Sequence, residues 1–377
     1  MVANRRRWLV LLVFTLATAS ASLGVSEFAR ASGNPTGGAA AERGSADTTT
    51  TTNAEASTTS TTSVATTTTF PKIVGHTISV PVGPDAFVKA GDDLWVASCG
   101  GNAVTEVNIR SKRIVKELNA PAYGFNCPDA LAFDGIHIWV ANKLGSSITE
   151  LETSTGNWVQ TLSGPQILNP DALAFDGTNI WVADSSLSGH DASFMSEFDA
   201  SSGSLVRALH QTKETEWTLL APSCIAIGRG RVWVSDIGNN VATAFNMATG
   251  AYVGETRGGA ANPSGIDCVT YHSGYIWISG SNNGVVVEYN AATGLFARYL
   301  KGDLNPNQLV FTGNYLFVVG DSSDSVAEYN SRGIFVRTVT KESQHTYEGI
   351  RAILFDGKNL WVGNYQSNSI SFFRITR

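Results

Sequence analysis

One short phrase returns seven times along this chain and restricts the fold more than any other feature. Its fullest copies begin at Phe133, Phe175 and Phe355, each reading Phe-Asp-Gly, two further residues, then Ile or Leu, Trp and Val. The anchoring aromatic falls at Trp95, Trp139, Trp181, Trp233, Trp277, Phe317 and Trp361, with spacings of 44, 42, 52, 44, 40 and 44 residues. A period of about 40–45 residues with strand-like patterning marks a radial array of blades, a β-propeller.

Residues 128–162 read as one blade of four strands. Pro128–Phe133 is a first short strand, and Asp134-Gly135 a tight turn, since Gly takes positive φ freely. Ile138–Ala141 is largely apolar and so buried on both faces. Ser147–Leu151 alternates as a half-exposed strand does, and Trp158–Leu162 is the fourth. Between the last two, Glu152 opens a turn that Gly156 closes. Asp199, Asn246 and Asn290 take the opening position in other repeats, with Gly203, Gly250 and Gly294 closing. That pattern fits a type I turn with a bulge.

Covariation inside the chain sets the register across this turn. Glu106 faces Lys116, Glu197 faces Arg207, Glu288 faces Arg298 and Glu328 faces Arg337. Where the acid is lost, at Ala244, the base is lost too, at Gly254, while Glu150 meets Gln160. Directly opposed cross-strand residues behave this way. As surface pairs they are expected to be worth well under ~1 kcal/mol each. The last repeat reaches Arg377 without a fourth strand, and Lys72-Ile-Val-Gly75 aligns with Arg113-Ile-Val-Lys116. The expected fold is therefore an all-β, seven-bladed propeller with four antiparallel strands per blade. An N-terminal strand at about residues 72–79 completes the last blade, which removes the free sheet edges.

The run Trp139-Val-Ala-Asn142 with Ser147-Ile-Thr-Glu resembles the repeat of YVTN/NHL-like propeller proteins. The pattern Pro-x-x-Leu-Ala-x-Asp-Gly-x-x-Ile-Trp-Val from Pro128 is similar to the repeats of streptogramin (virginiamycin B) lyases. Both resemblances extend over residues 72–377. They imply the propeller fold and span surface binding proteins as well as one lyase class, so they do not fix an activity. The lyase resemblance implies a His/Glu pair on neighbouring blades at the channel mouth, which no motif here matches residue by residue.

Residues 1–31 read as a secretory signal, with Arg5–Arg7 before an apolar run and small residues at Ala19-Ser-Ala21 and Ala29-Arg-Ala31. An uncleaved anchor is the other reading, and the only expected membrane contact. Residues 32–69 are rich in Thr, Ser, Ala and Gly and cannot bury a core. They are either a plain spacer or an extended stalk. The folded domain is expected over 70–377. The chain carries a net charge of −6, and residues 1–21 hold three Arg and no acid. Such a mildly acidic surface argues against a nucleic-acid partner. Export permits disulfides. Cys99 and Cys127 share a rim and suit a bridge. Cys224 and Cys268 hold equivalent first-strand positions, read either as a bridge or as buried thiols.

The longer connections fall on the rim opposite the Asp-Gly and Thr-Gly turns, where ligand sites on rigid scaffolds concentrate. Two rings of residues are expected there. Asp85, Asp129, Asp171, Ser223, Asp267, Asn307 and Arg351 open the innermost strands. Ser98, Asn142, Asp184, Asp236, Gly280, Gly320 and Asn364 end the second strands. The carboxylates Asp85, Asp129, Asp171 and Asp267 could recruit Ca²⁺ or Mg²⁺ or simply fix turns, and Arg351 neutralises the ring or clamps an anion. Irregular insertions include His190 with Asp191, His210–Trp217 and Gln344–Gly349. In the last, His345 and Glu348 form the one compact acid–base candidate. No quinone- or haem-attachment motif is present. The leading expectation is a monomeric, secreted or envelope-associated scaffold binding a protein or glycan partner through this rim, without catalysis. The alternative is a metal-dependent lyase acting at the channel mouth.

Overall fold

The computed structural model describes residues 75–185, 193–211, 215–259, 262–301, 305–320, 325–339 and 349–375. The expected signal, linker and residues 72–74 lie outside them, as do His190, Asp191, His345 and Glu348. Twenty-eight strands form seven four-stranded antiparallel sheets, the blades of a propeller, with no α-helix among the described residues. Blades one to six hold residues 86–118, 128–163, 170–210, 222–255, 266–301 and 306–339 in simple sequence order. Blade seven takes three strands from residues 350–374 and its fourth, β1 (Gly75–Ser79), from the other end of the domain. β1 pairs antiparallel with β28 (Ser369–Arg374) and closes the ring.

The anchoring aromatics explain why no blade stands alone. Trp95, Trp139, Trp181, Phe317 and Trp361 are 0% exposed, and Trp233 and Trp277 nearly so. They pack between blades: Trp95 and Val104 of blade one share a cluster with Leu131, Ile138 and Val140 of blade two. Each blade therefore needs a neighbour to bury its face. The Asp of Asp-Gly has a specific task. Asp134, Asp176 and Asp356 each accept the indole Nε1 of Trp139, Trp181 and Trp361 at 2.8, 2.8 and 2.7 Å. They also accept the amides that close the turn, while Gly135 sits at φ 106°, open to Gly and strained for other residues. Where the turn lacks that Asp, Trp95, Trp233 and Trp277 leave Nε1 without a partner.

The third turn carries the expected register. Glu106, Glu197, Glu288 and Glu328 lie opposite Lys116, Arg207, Arg298 and Arg337, Ala244 opposite Gly254 and Glu150 opposite Gln160, each followed by a bulge. The expectation of surface pairs is corrected. Each Glu lies beneath the strand-two aromatic and is at most 5% exposed, because the row Trp–Glu–Arg runs along a blade face covered by its neighbour. The bases reach onward to the next blade. Lys116 donates to Ser154 O, Arg207 to Ala248 O and Arg298 to Ser331 O. Blade four, which lacks the pair, sends Arg231 instead, at 2.7 and 2.9 Å to Ala291 O and Ala292 O.

The closing strand departs from the expected alignment by one residue. His76, not Gly75, lies opposite Phe372 and stacks on it at 5.4 Å. The other blades skip a residue just beyond this position, where a hairpin turn adds its bulge. No hairpin joins β1 to β28, and Gly75 pairs directly with Phe373. Lys112, from the third turn of blade one, places Nζ 4.1 Å from the Trp361 ring and 4.4 Å from Phe372. A cation thus covers this row as well, by attraction to ring faces instead of a carboxylate.

Candidate functional site

The innermost strands converge on the axis, and the seven residues that open them line one cavity of about 450 Å³ at the channel mouth. Asp85, Asp129, Asp171, Ser223, Asp267, Asn307 and Arg351 are all there, joined by Lys143. Their bonds run from one blade to the next. Lys143 of blade two lies 3.1 Å from Asp129 of its own blade and also contacts Asp171 of blade three. Ser223 donates to Asp267 O at 2.8 Å, and Asn307 to Ile350 O at 2.8 Å. Arg351 of blade seven donates to Asp85 of blade one at 2.9 Å and stacks over Tyr365, 3.7 Å from the ring centroid.

The ring does contain a cation, but it is an ammonium. Two carboxylates that the sequence offered to Ca²⁺ or Mg²⁺, Asp129 and Asp171, embrace Lys143. A third, Asp85, is held by Arg351 and by the Cys99 amide at 2.8 Å. Burial pushes the Asp171 carboxyl above its usual range, although Lys143 opposes the shift. Burial does the same to Asp85 against the Cys99 amide and Arg351. For Lys143, burial alone would lower the pKa, but the charges of Asp129 and Asp171 outweigh it and the net shift is upward. The mouth is therefore a mixed field of acceptors and donors, not an anionic trap.

Lys143 escaped the two expected rings because it stands one residue beyond the second. The column after the second strands reads Cys99, Lys143, Ser185, Ile237, Ser281, Asp321 and Tyr365. It holds a single cation, and at Tyr365 the ring that Arg351 covers. That single charge in an otherwise uncharged or acidic column was the available signal.

The second ring is corrected to a structural role. Asn142, Asp184, Asp236 and Asn364 are at most 1% exposed and do not line the mouth. Asn142 donates to Ser147 and Thr149, and Asn364 to Ser369 and Ser371, tying the second strand to the third. Asp184 accepts the amides of Leu168 and Asn169 at 2.8 and 2.9 Å, and Asp236 those of Leu220 and Ala221. They fix the loop that enters each blade, where buried backbone amides require an acceptor. Burial lifts the Asp184 carboxyl to about 6 in spite of those amides. Ser98 likewise turns inward, to Val82 O.

Both cysteine pairs are joined, Cys99 to Cys127 and Cys224 to Cys268. The equivalent positions of the second pair do not keep it apart. Neighbouring innermost strands draw together at the axis, and the two Cα atoms stand 5.0 Å apart, within bridging reach. Two disulfides are compatible with an oxidising compartment. No helix among the described residues is long and apolar enough to cross a membrane.

Fold and mouth together define a class: a closed seven-bladed propeller with a polar, internally ion-paired channel opening. No protein-family model and no curated protein matches the sequence. Solved structures do resemble it. A Kuenenia stuttgartiensis hydrazine synthase chain has a TM-score of 0.64 at 17% identity, covering 79% of this chain and 97% of that one. Virginiamycin B lyase from Staphylococcus aureus has a TM-score of 0.64 at 15% identity, covering 81% and 100%. The computationally designed protein Ika8 has a TM-score of 0.57 at 14% identity, covering 79% and 98%. At such identities the likeness is one of fold.

Proposed function

We propose that this chain is an extracytoplasmic binding scaffold whose channel mouth and loop-rich rim hold a polar partner without transforming it. The observation that supports this most is the lining of the mouth. It combines carboxylates, a hydroxyl, amides, an ammonium and a guanidinium, and among the described residues neither His nor Glu lines it. Hydroxyl-rich ligands find donors and acceptors side by side in such a site, as do amide-rich loops. A glycan or a protein loop are the two partner types it suits. The apolar N-terminal segment and the Thr-rich stretch after it fit export and a spacer that presents the propeller at the envelope.

The rival reading is a metal-dependent lyase, favoured by the fold shared with virginiamycin B lyase. One experiment separates them. The full chain is passed over immobilised neutral and acidic oligosaccharides and over envelope protein fractions. It is also incubated with virginiamycin B and Mg²⁺. Retention that weakens by roughly tenfold in Asp171→Ala and Arg351→Ala, the loss of one charge-assisted contact, is the expected outcome. Consumption of virginiamycin B by the wild-type chain, abolished by Asp171→Ala, would overturn the non-catalytic reading.

A further inference from the structure

The buried acid of the third strand normally has a cation. In blades one, three and six, Lys116, Arg207 and Arg337 approach Glu106, Glu197 and Glu328 to 2.8, 2.6 and 2.6 Å, and in blade five Arg298 meets Glu288. Blade four has neither acid nor base, and blade seven has Phe372 in the acid position. Blade two alone keeps the acid and drops the base. Glu150 is 2% exposed, and its cross-strand partner is the neutral Gln160, whose amide donates to Oε2 at 2.6 Å.

On the other side of Glu150 lies His137, which opens the second strand. Its Nδ1 is 3.1 Å from Glu150 Oε1 and 3.3 Å from Asp134 Oδ2. The three ligand atoms all lie within 4.8 Å of one another. Asp134 is fixed by the amides of Ile136 and His137 and by Trp139 Nε1, bonds that favour its charged form. One imidazole nitrogen thus faces two buried carboxylate oxygens, and a single N–H can point well at only one of them. A cation between the three atoms would serve all of them.

Donor set and spacing together point to a small four-coordinate cation. Tetrahedral coordination with bonds of about 2.0–2.1 Å sets ligand atoms about 3.3 Å apart, close to the two separations found here. A nitrogen ligand with two carboxylates suits a zinc-like ion, whereas Ca²⁺ calls for six to eight oxygens. We propose that Asp134 Oδ2, His137 Nδ1 and Glu150 Oε1 form a binding site for a divalent transition ion of the zinc class on the short-turn rim of blade two. The His137 side chain is 25% exposed, which leaves a solvent approach for the ion and for a water as fourth ligand. The ion does at this seam what Arg207 or Arg298 does at others: it neutralises a buried acid. The site stands apart from the channel mouth and does not depend on what the mouth binds.

The test is a calorimetric titration of the tag-free full chain with Zn²⁺, run with and without a competing chelator. The expected result is one equivalent bound at this site, a raised thermal midpoint, and affinity reduced by more than ~10-fold in His137→Asn. Gln160→Arg supplies the base that the other blades use. It should abolish zinc binding while leaving the chain folded by circular dichroism, so loss of the fold cannot stand in for loss of the site. Absence of Zn²⁺ binding overturns the proposal. So does binding unchanged in both variants, which would place the ion elsewhere, or equal affinity for Mg²⁺, which would remove the zinc-class assignment.

Discussion

On the short-turn rim, Glu197 faces Arg207 across a single hairpin; at the channel mouth, Asp171 is neutralised by Lys143 from the neighbouring blade. The first pair is local and recurs in blades one, three, five and six, with Lys or Arg as the base. The second crosses a seam between blades from a position that holds no other cation in the repeat, and Arg351 with Asp85 makes the other inter-blade pair at the mouth. The difference separates scaffold from site. Interactions that hold a blade in register recur at fixed spacing, because every blade meets the same problem. Interactions that shape a binding surface break the symmetry, because a partner approaches from one direction with its own pattern of charge.

Removing charges one at a time tests this contrast. The largest effect is expected for Arg207→Met. It strands the carboxylate of Glu197, which is 0% exposed, at a cost of about 3 kcal/mol. Adding Glu197→Ala, to imitate blade four, should recover most of that loss in urea denaturation. A double variant as unstable as the single would show that Arg207 acts through packing and not through the acid.

Lys143→Met should cost less, about 1–2 kcal/mol, since Asp129 and Asp171 face an open cavity that lets solvent relieve their repulsion. The pH dependence has a definite sign. Lys143 has its pKa raised in the fold, so its contribution is fully present below its unfolded pKa of about 10.4 and is lost as pH rises through the folded value. Across pH 5–8 the wild-type ammonium therefore stays charged. In the variant, Asp171 loses its counter-charge and its already raised pKa climbs further. A carboxyl with a raised folded pKa destabilises as pH rises through that value, so the deficit in thermal midpoint should be smaller at pH 5 than at pH 8. A deficit independent of pH would remove the electrostatic account of the mouth. The smallest effect belongs to Arg351→Gln, under ~1 kcal/mol, because its side chain is 47% exposed and the Cys99 amide still donates to the buried Asp85. Its consequence should appear in partner retention instead of in stability.

The same contrast explains what could be read from the amino acids. Glu106, Glu197, Glu288 and Glu328 each have a base nine or ten residues on, and Ala244 and Gly254 lose both together, so blade register was legible in the sequence. Their burial was not, since it arises from the neighbouring blade lying over the row. The seven residues opening the inner strands were legible as a ring because each occupies one repeat position. Their chemistry was hidden by Lys143, whose influence comes from reaching across a seam and not from its place in the motif. Asn142 and Asp236 misled for the converse reason. A polar residue ending a strand looks the same whether it serves a ligand or the amides of the next loop. The one-residue displacement of His76 follows from a turn that is missing, a feature that aligning strand to strand does not reveal.

The pairing of Gly75 with Phe373 also sets an order of events. β1 leaves the ribosome before any blade, yet its partner is made only after the six other blades. Contacts so distant along the chain form slowly, because the entropy of closing the intervening loop is lost before they reward it. Until then β1 and blade seven both present unpaired edges, the form in which β-rich chains find wrong partners. The ring should therefore complete late, in a step distinct from formation of the individual blades. Whatever guards the waiting edge until then governs how much of the protein reaches the closed form.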